Sequence, residues 1–137
     1  MTNITNYIDI AKMDNYELIQ YLLDNFDFQV LPKLETIEEM QEASQLLMFA
    51  TNANSFLTNV LSYVSLFKRD RKREYESYKK GSQEYASHKH LYEDYVDKEA
   101  ILMRKIESLD NIKQTTSRML TIKQEIDKEL TMVGDTP

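Results

Sequence analysis

The stretch LLMFATNANSFLTNVLSYVSLF, residues 46–67, contains no charged residue and decides the fold class. It contains neither Gly nor Pro, and the whole chain of 137 residues has only two of each. Turns between strands depend on Gly, Pro, Asn and Asp, so a many-stranded sheet is hard to build from so few Gly and Pro residues. Leu, Glu, Lys, Ile, Met and Gln are abundant, and they lose little rotamer freedom in a helix. The sequence therefore predicts an all-α protein.

Breaks on either side of this stretch predict a short helix followed by a long helical hairpin. Asp14 and Glu17 have the spacing of a capping box, and the helix that they start must end before Pro32. The next strong break is Gly81, and Gly134 suits a C-cap at the far end of the chain. We expect one domain over residues 1–137, made of an N-terminal helix region, a long helix, a turn and a second long helix, over residues 1–34, 35–80, 81–90 and 91–133.

The second long helix carries apolar residues at steps of mostly three and four, which is the spacing of a coiled-coil seam. These positions are Leu91, Tyr95, Leu102, Ile106, Leu109, Met119, Leu120, Ile126, Leu130 and Val133. Lys113 and Thr116 interrupt the seam near its middle. Methionines at core-like positions are expected to fill gaps in the core, with a promiscuous binding groove as the alternative. They include Met40, Met48, Met103, Met119 and Met132.

The uncharged stretch also predicts self-assembly. A helix without charge on any face is covered on most sides, whereas a hairpin of two helices buries only one seam. Closed homo-oligomers are the common way to provide such cover. We expect four residues of the stretch to be buried in or near subunit contacts, namely Phe49, Phe56, Leu57 and Leu61.

Charge is unevenly distributed in a chain whose net charge is −6. Residues 68–80 hold seven basic and three acidic side chains, a local net charge of +4. On a helix, six of the basic residues fall within an arc of about 140°, with Tyr75 beside it; they are Lys68, Arg69, Lys72, Arg73, Lys79 and Lys80. Such a stripe suits a phosphate backbone, and the tyrosine can stack on a base. The alternative is a solvated helix end with ion pairs between successive turns.

Other side chains around the turn give weaker signals. Five tyrosines are either stacking platforms or packing residues between two helices; they are Tyr75, Tyr78, Tyr85, Tyr92 and Tyr95. His88 and His90 are the only histidines, and their rings diverge on a helix. The chain has no Cys, and we find no Gly-rich phosphate loop or nucleophile motif. We therefore expect a binding protein and not an enzyme, with no metal and no cofactor.

The sequence shows no targeting or membrane signal. No apolar run approaches the ~20 residues of a membrane-spanning helix. The N-terminus MTNITNYIDIAK lacks the basic region and apolar core of a signal peptide. We expect a cytoplasmic protein without a membrane partner.

The order of these features resembles the UvsY recombination mediators of large tailed phages. The segment KRDRKREYESYKKGS, residues 68–82, is similar to the lysine- and arginine-rich, tyrosine-containing stretch of that family, which leads into a glycine-containing turn. Ser117-Arg118, followed by Ile122-Lys123 and Ile126, is similar to the closing helix of the family. The similarity covers roughly residues 46–132.

The resemblance implies a protein that binds single-stranded DNA, helps displace the single-strand binding protein and loads a RecA-like recombinase. It also implies ring-like homo-oligomers in the cytoplasm of an infected host. The implied DNA contacts are Lys68, Arg69, Lys72, Arg73, Lys79 and Lys80, with Tyr75 as a stacking residue. Arg118 and Lys123 are secondary candidates on the closing helix, whose main role is assembly. Two alternatives remain open: a helical structural or assembly protein of a phage particle, and a small acidic inhibitor of a host protein.

Overall fold

A computed structural model describes residues 4–27 and 33–134, and the side chains of residues 6–27 and 33–130. It confirms the all-α prediction, because every regular element in these ranges is a helix. The last two of the four helices form the long helical hairpin that the sequence predicts. The helices are α1 (Ile4–Ala11), α2 (Asn15–Phe26), α3 (Ile37–Glu76) and α4 (Gln83–Gly134).

The N-terminal region holds two helices where the sequence predicted one. The start of α2 is confirmed, since the side chain of Asp14 accepts a hydrogen bond from the backbone N–H of Glu17 at 2.8 Å. α2 ends at Phe26, and the predicted break at Pro32 lies outside the described residues. α1 was missed because a helix of eight residues is too short to be stable alone, so its formation depends on packing.

Both ends of α3 differ from the predicted range of residues 35–80. Thr36 caps the start: its hydroxyl accepts from the backbone N–H of Glu39 at 3.1 Å and lies 3.2 Å from the Glu39 carboxylate. At the other end α3 stops at Glu76, four residues before the predicted end. The helix ends in turns of 3₁₀ type, because Ser77 and Tyr78 donate their N–H groups to carbonyls three residues earlier.

The turn is shorter than the predicted residues 81–90, because α4 already begins at Gln83. Ser82 caps this helix, and its hydroxyl accepts from the backbone N–H of Tyr85 at 3.1 Å. Gly81 has a φ of +91°, which other residues rarely adopt, so the predicted break at this glycine is confirmed. Gly134, which was expected to cap α4, is instead its last residue.

The chain folds into two compact units, and α3 and α4 each contribute to both. The first unit comprises Met1–Asp27 and Ser55–Glu107. The second unit comprises Phe28–Asn54 and Ser108–Pro137.

The first unit has a core to which all four helices contribute. The rings of Tyr7 on α1 and Phe26 on α2 lie 5.0 Å and 6.2 Å from the ring of Phe56 on α3. Leu57 is fully buried, and Leu61 is half-buried. α1 and α2 help to enclose this part of α3, so the burial of Leu57 is provided within the chain. The expectation that Phe56, Leu57 and Leu61 lie in or near subunit contacts stays a prediction. The buried apolar residues of the unit are Ile10, Ala11, Leu18, Leu22, Phe26, Leu57, Val60, Val64 and Leu102.

The second unit has a thin core and several exposed large apolar side chains. Its buried apolar residues are Ala43, Ala50, Ala53, Leu109 and Leu120. Thr116 is also buried, so it continues the seam that it was expected to interrupt. The large apolar residues that remain exposed are Ile37, Met48, Phe49, Ile122, Ile126 and Leu130.

Some predicted core positions are therefore wrong. Ile126 and Leu130 in the second unit, and Leu91 in the first, were expected in the seam but are exposed. Met48 and Met103 are 67% and 55% exposed, so they do not fill the core. The side chains of Met132 and Val133 lie outside the described residues.

Candidate nucleic-acid interface

The basic segment divides between the last turns of α3 and the turn that follows. Arg69, Lys72 and Arg73 lie on α3 within an arc of about 100°, and all three are exposed. Lys79 and Lys80 are exposed too, but they follow the end of the helix. The predicted arc of six residues on one helix is therefore wrong for these two lysines. We call the five exposed residues Arg69, Lys72, Arg73, Lys79 and Lys80 the basic surface.

Lys68 does not belong to the basic surface, because it is half-buried and ion-paired. Its Nζ lies 2.8 Å from Oε1 of Glu99 on α4, and the Ser65 hydroxyl donates to Oε2 of the same carboxylate at 2.8 Å. The hydrogen bond from Lys68, supported by that from Ser65, lowers the pKa of Glu99 below its ordinary value. Lys68 therefore joins the two long helices and is not free to bind a phosphate.

A second ion pair lies within the basic segment, residues 68–80. Arg71 Nη1 lies 3.1 Å from one oxygen of Glu74, and His88 Nδ1 lies 3.1 Å from the other. The His88 ring stacks on the ring of Tyr78 at 4.7 Å. The alternative of ion pairs between successive turns of the helix thus describes Arg71, whereas Lys68 pairs with a residue of α4 instead. No ion-pair partner of Arg69, Lys72 or Arg73 occurs within the described part of the chain.

The tyrosines near the turn pack mainly on one another. The Tyr75 ring is 5.3 Å from the rings of both Tyr85 and Tyr92, and it is half-buried. Tyr95 packs edge-on against Phe67 at 5.9 Å. These contacts match the packing alternative and leave Tyr75 poorly placed to stack on a base. Tyr78, in the turn, is 37% exposed and is the more accessible ring.

The secondary candidates on the closing helix belong to the second unit. Lys123 Nζ lies 3.4 Å from Asp127, one turn further along α4. Arg118 is exposed and lines a groove of about 530 Å³ together with Lys113. Arg118 and Lys123 lie in the second unit and do not belong to the basic surface.

Sequence reasoning missed the partner of Lys68 because Glu99 is 31 residues away, and nothing local connects the two. It missed the cap at Ser82, although a serine directly after Gly81 and before Glu84 is a helix-start signal. In the described ranges no group of three or more His, Asp or Glu side chains could hold a metal ion. None of the helices, as far as they are described, has both the length and the apolar character needed to cross a membrane.

Comparison with known proteins found no match among protein families, curated proteins or solved structures. Function is therefore inferred from the residues and their arrangement.

Proposed function

We propose that the protein binds single-stranded DNA through the basic surface and acts as a recombination mediator. The observation that carries the proposal is the exposed set Arg69, Lys72 and Arg73 at the end of α3, which is not neutralised by ion pairs in the described part of the chain. Lys68 and Arg71 are paired with acids and half-buried, whereas Arg69, Lys72 and Arg73 are exposed, and Glu76 is the one exposed acid inside their arc. Neutralising phosphates by such exposed cations releases counterions and drives binding.

A single strand suits this surface better than a duplex. The surface passes from a helix into the turn that holds Lys79 and Lys80, so its cations do not follow one straight line. A flexible strand can adapt to such a path, and its unpaired bases are free to stack on an accessible ring such as Tyr78. Stacking of this kind contributes ~1–3 kcal/mol per base.

The role of mediator comes from the resemblance to the UvsY proteins. It supports loading of a RecA-like recombinase onto DNA that is covered by single-strand binding protein, in the cytoplasm of an infected host. The protein partners are then the recombinase, the single-strand binding protein and further copies of this chain. No catalytic step is part of the proposal.

Assembly is assigned to a second copy of the chain docking on the second unit. Ile122, Ile126 and Leu130 are 49%, 47% and 65% exposed and share an arc of about 80° on α4. Glu125 and Glu129 flank one edge of this face, and Lys123, which is ion-paired with Asp127, flanks the other. Assembly multiplies the basic surface, and joined weak sites bind a flexible strand with avidity that one site lacks. Phe49, which is 44% exposed, fits this interface better than Phe56 or Leu57.

The DNA proposal is tested by titrating labelled single- and double-stranded oligonucleotides of one sequence with wild type and with Lys72→Ala/Arg73→Ala. The matched control is Lys33→Ala/Lys128→Ala, which also removes two exposed positive charges but outside the basic surface. We expect single strands to bind more tightly, and the first double variant to lose on the order of tenfold or more in affinity at low salt. Equal losses in the two double variants, or no DNA binding by the wild type, would contradict the proposal.

The exposed face of the second unit also favours a second candidate, a helical assembly protein without a DNA site. Light scattering tests assembly separately from DNA binding. Ile122→Glu/Ile126→Glu is expected to reduce the particle mass to that of the 16.2 kDa chain, whereas Val96→Glu, at a similarly exposed site in the first unit, is expected to leave it unchanged. Assembly of the wild type without any DNA binding would leave the assembly protein as the function.

A further inference from the structure

A polar pocket of about 400 Å³ lies in the first unit, where the start of α2 meets α4. This volume is at the lower end of the range for small-molecule sites. The residues that line it are Lys12, Asp14, Asn15, Tyr16, Asp94 and Lys98. None of them belongs to the basic surface, so the DNA proposal leaves the pocket without a role.

Lys98 is the first sign that the pocket is built to hold a ligand. Its side chain is only 5% exposed, and no hydrogen-bond or ion-pair partner for its ammonium occurs within residues 4–27 and 33–134. The ammonium lies 4.1 Å from the centre of the Tyr95 ring, which supplies a cation–π contact but no acceptor. Burial lowers the pKa of Lys98, and the nearby Asp94 and Asp14 carboxylates partly offset that effect. Lys98 lines the pocket, so its ammonium is available to an acceptor on a ligand there.

The acceptors in the pocket are the second sign. Asn15 Oδ1 is buried and has no hydrogen-bond donor. The Asp94 carboxylate also has no hydrogen-bond or ion-pair partner in the described part of the chain. Asp14 uses Oδ1 to cap α2. The pocket thus offers the ammonium of Lys98 beside the Asp94 carboxylate, and neither group has a hydrogen-bond partner in the described part of the chain.

The remaining feature of the pocket is the ring of Tyr16, which suits a planar ligand. Tyr16 is 72% exposed and lines the opening, so an aromatic ring entering the pocket can stack on it. Bases that are free of a duplex are recognised by this combination of stacking and hydrogen bonds to their edges. Among the common bases, guanine alone presents two adjacent donors, N1–H and N2–H₂, beside the acceptor O6.

We propose that this pocket binds a guanine base, with Lys98 donating to O6 and with the two carboxylate oxygens of Asp94 accepting from N1–H and N2–H₂. The base belongs to a free guanine nucleoside or nucleotide, or to a guanine within a bound strand; the recognition chemistry is the same. The proposal goes beyond the proposed function, because it assigns base preference to a site separate from the basic surface.

The direct test is titration of the full chain with guanosine, followed by NMR of the backbone amides. Guanosine carries no phosphate, so it does not engage the basic surface. We expect shifts at Tyr16 and Lys98 and binding about tenfold or more tighter than that of adenosine, cytidine or inosine, because inosine lacks the N2 amino group. No binding of guanosine, or equal binding of guanosine and inosine, overturns the proposal.

Two variants and their controls exclude a merely structural effect. Asp94→Asn replaces part of the acceptor pair by a donor, and Lys98→Met removes the ammonium at similar volume. We expect each to weaken guanosine binding about tenfold or more while the helical circular dichroism spectrum is unchanged. Asp97→Asn and Lys89→Met are the controls, because both residues are exposed on α4 and neither lines the pocket. Equal loss of binding in the controls overturns the assignment.

An oligonucleotide distinguishes the two sources of the base. A thymine strand with one central guanine is compared with the same strand carrying inosine there, using wild type and Asp94→Asn. A guanine preference that Asp94→Asn abolishes assigns the pocket to a base within a strand. Binding of guanosine without any such preference assigns it to the free nucleoside or nucleotide. A lack of guanine selectivity in both experiments overturns the proposal, whereas the proposed function fails only if the basic surface itself does not bind DNA.

Discussion

The two compact units differ in what lies against α3. In the first unit the buried positions of α3 are Leu57, Val60 and Val64, and α1 and α2 add aromatic and aliphatic side chains to the core. In the second unit the buried positions of α3 are alanines, at Ala43, Ala50 and Ala53. Successive parts of one long uncharged stretch are therefore not buried in the same way. Part of it is enclosed within the chain, and the rest lies in a unit with a thin core.

The same contrast separates two proposed functions. The first unit carries the basic surface and the pocket around Lys98, on elements fixed by a larger core. The second unit carries the exposed apolar face of Ile122, Ile126 and Leu130. We infer that the first unit binds nucleic acid and that the second brings copies of the chain together.

The largest effect that tests this contrast is a core deletion in the first unit. Leu57→Ala removes a fully buried side chain and is expected to lower the free energy of unfolding by about 2–5 kcal/mol. Met48→Ala, at a site 67% exposed in the second unit and outside the proposed assembly face, is expected to change it by about 0.5 kcal/mol or less. Urea denaturation followed by circular dichroism measures both. Similar losses for the two variants would show that the units do not differ as described.

A smaller effect is expected within α3 itself. Backbone amides of residues 57–66 are expected to exchange hydrogen on the order of tenfold or more slowly than those of residues 42–51, because local opening is easier where fewer large side chains are buried. Native-state hydrogen exchange on a dilute sample, in which the chain is monomeric, measures the difference. Uniform protection along α3 would mean that the helix opens as one element.

Local signals in the sequence predicted much of this fold, because caps and breaks act over a few residues. Asp14 with Glu17 marks the start of α2, and Gly81 marks the turn, where its positive φ is required. The end of α3 could not be predicted in this way. No Gly or Pro occurs between Pro32 and Gly81, and the early end at Glu76 accompanies the stacking of Tyr78 on His88, which is a tertiary contact.

The candidate site, too, could be predicted from local sequence only in part. The concentration of positive charge in residues 68–80 can be read directly from the sequence, but which cations are free cannot. Lys68 is removed from the set by Glu99, and Arg71 is paired with a glutamate that also contacts His88. Lys98 gave no signal either, because its burial depends on the packing of α2 and α4 and not on its neighbours in sequence.

The smallest of these stability effects concerns the ion pair that removes Lys68 from the basic surface. Glu99→Gln is expected to destabilise the protein by about 1 kcal/mol or less at pH 7, since both side chains are partly exposed. The pKa of Glu99 is lowered in the folded protein, so its contribution is complete above the ordinary value of 4.5 and is lost as the pH falls through the lowered pKa. The difference between wild type and variant in denaturant titrations should therefore shrink toward acid. A difference that persists unchanged below that pKa would argue against the ion pair as its cause.

The central claim, that the basic surface of the first unit binds the phosphate backbone, is tested most directly by the salt dependence of affinity for a single-stranded oligonucleotide. The slope of log K against log salt is about −0.7 per phosphate neutralised on a single strand. The account predicts that Lys72→Ala/Arg73→Ala makes this slope less steep by about 1.4 if each side chain neutralises one phosphate, while Lys33→Ala/Lys128→Ala in the second unit leaves it unchanged. A slope that is the same in wild type and in Lys72→Ala/Arg73→Ala would contradict it.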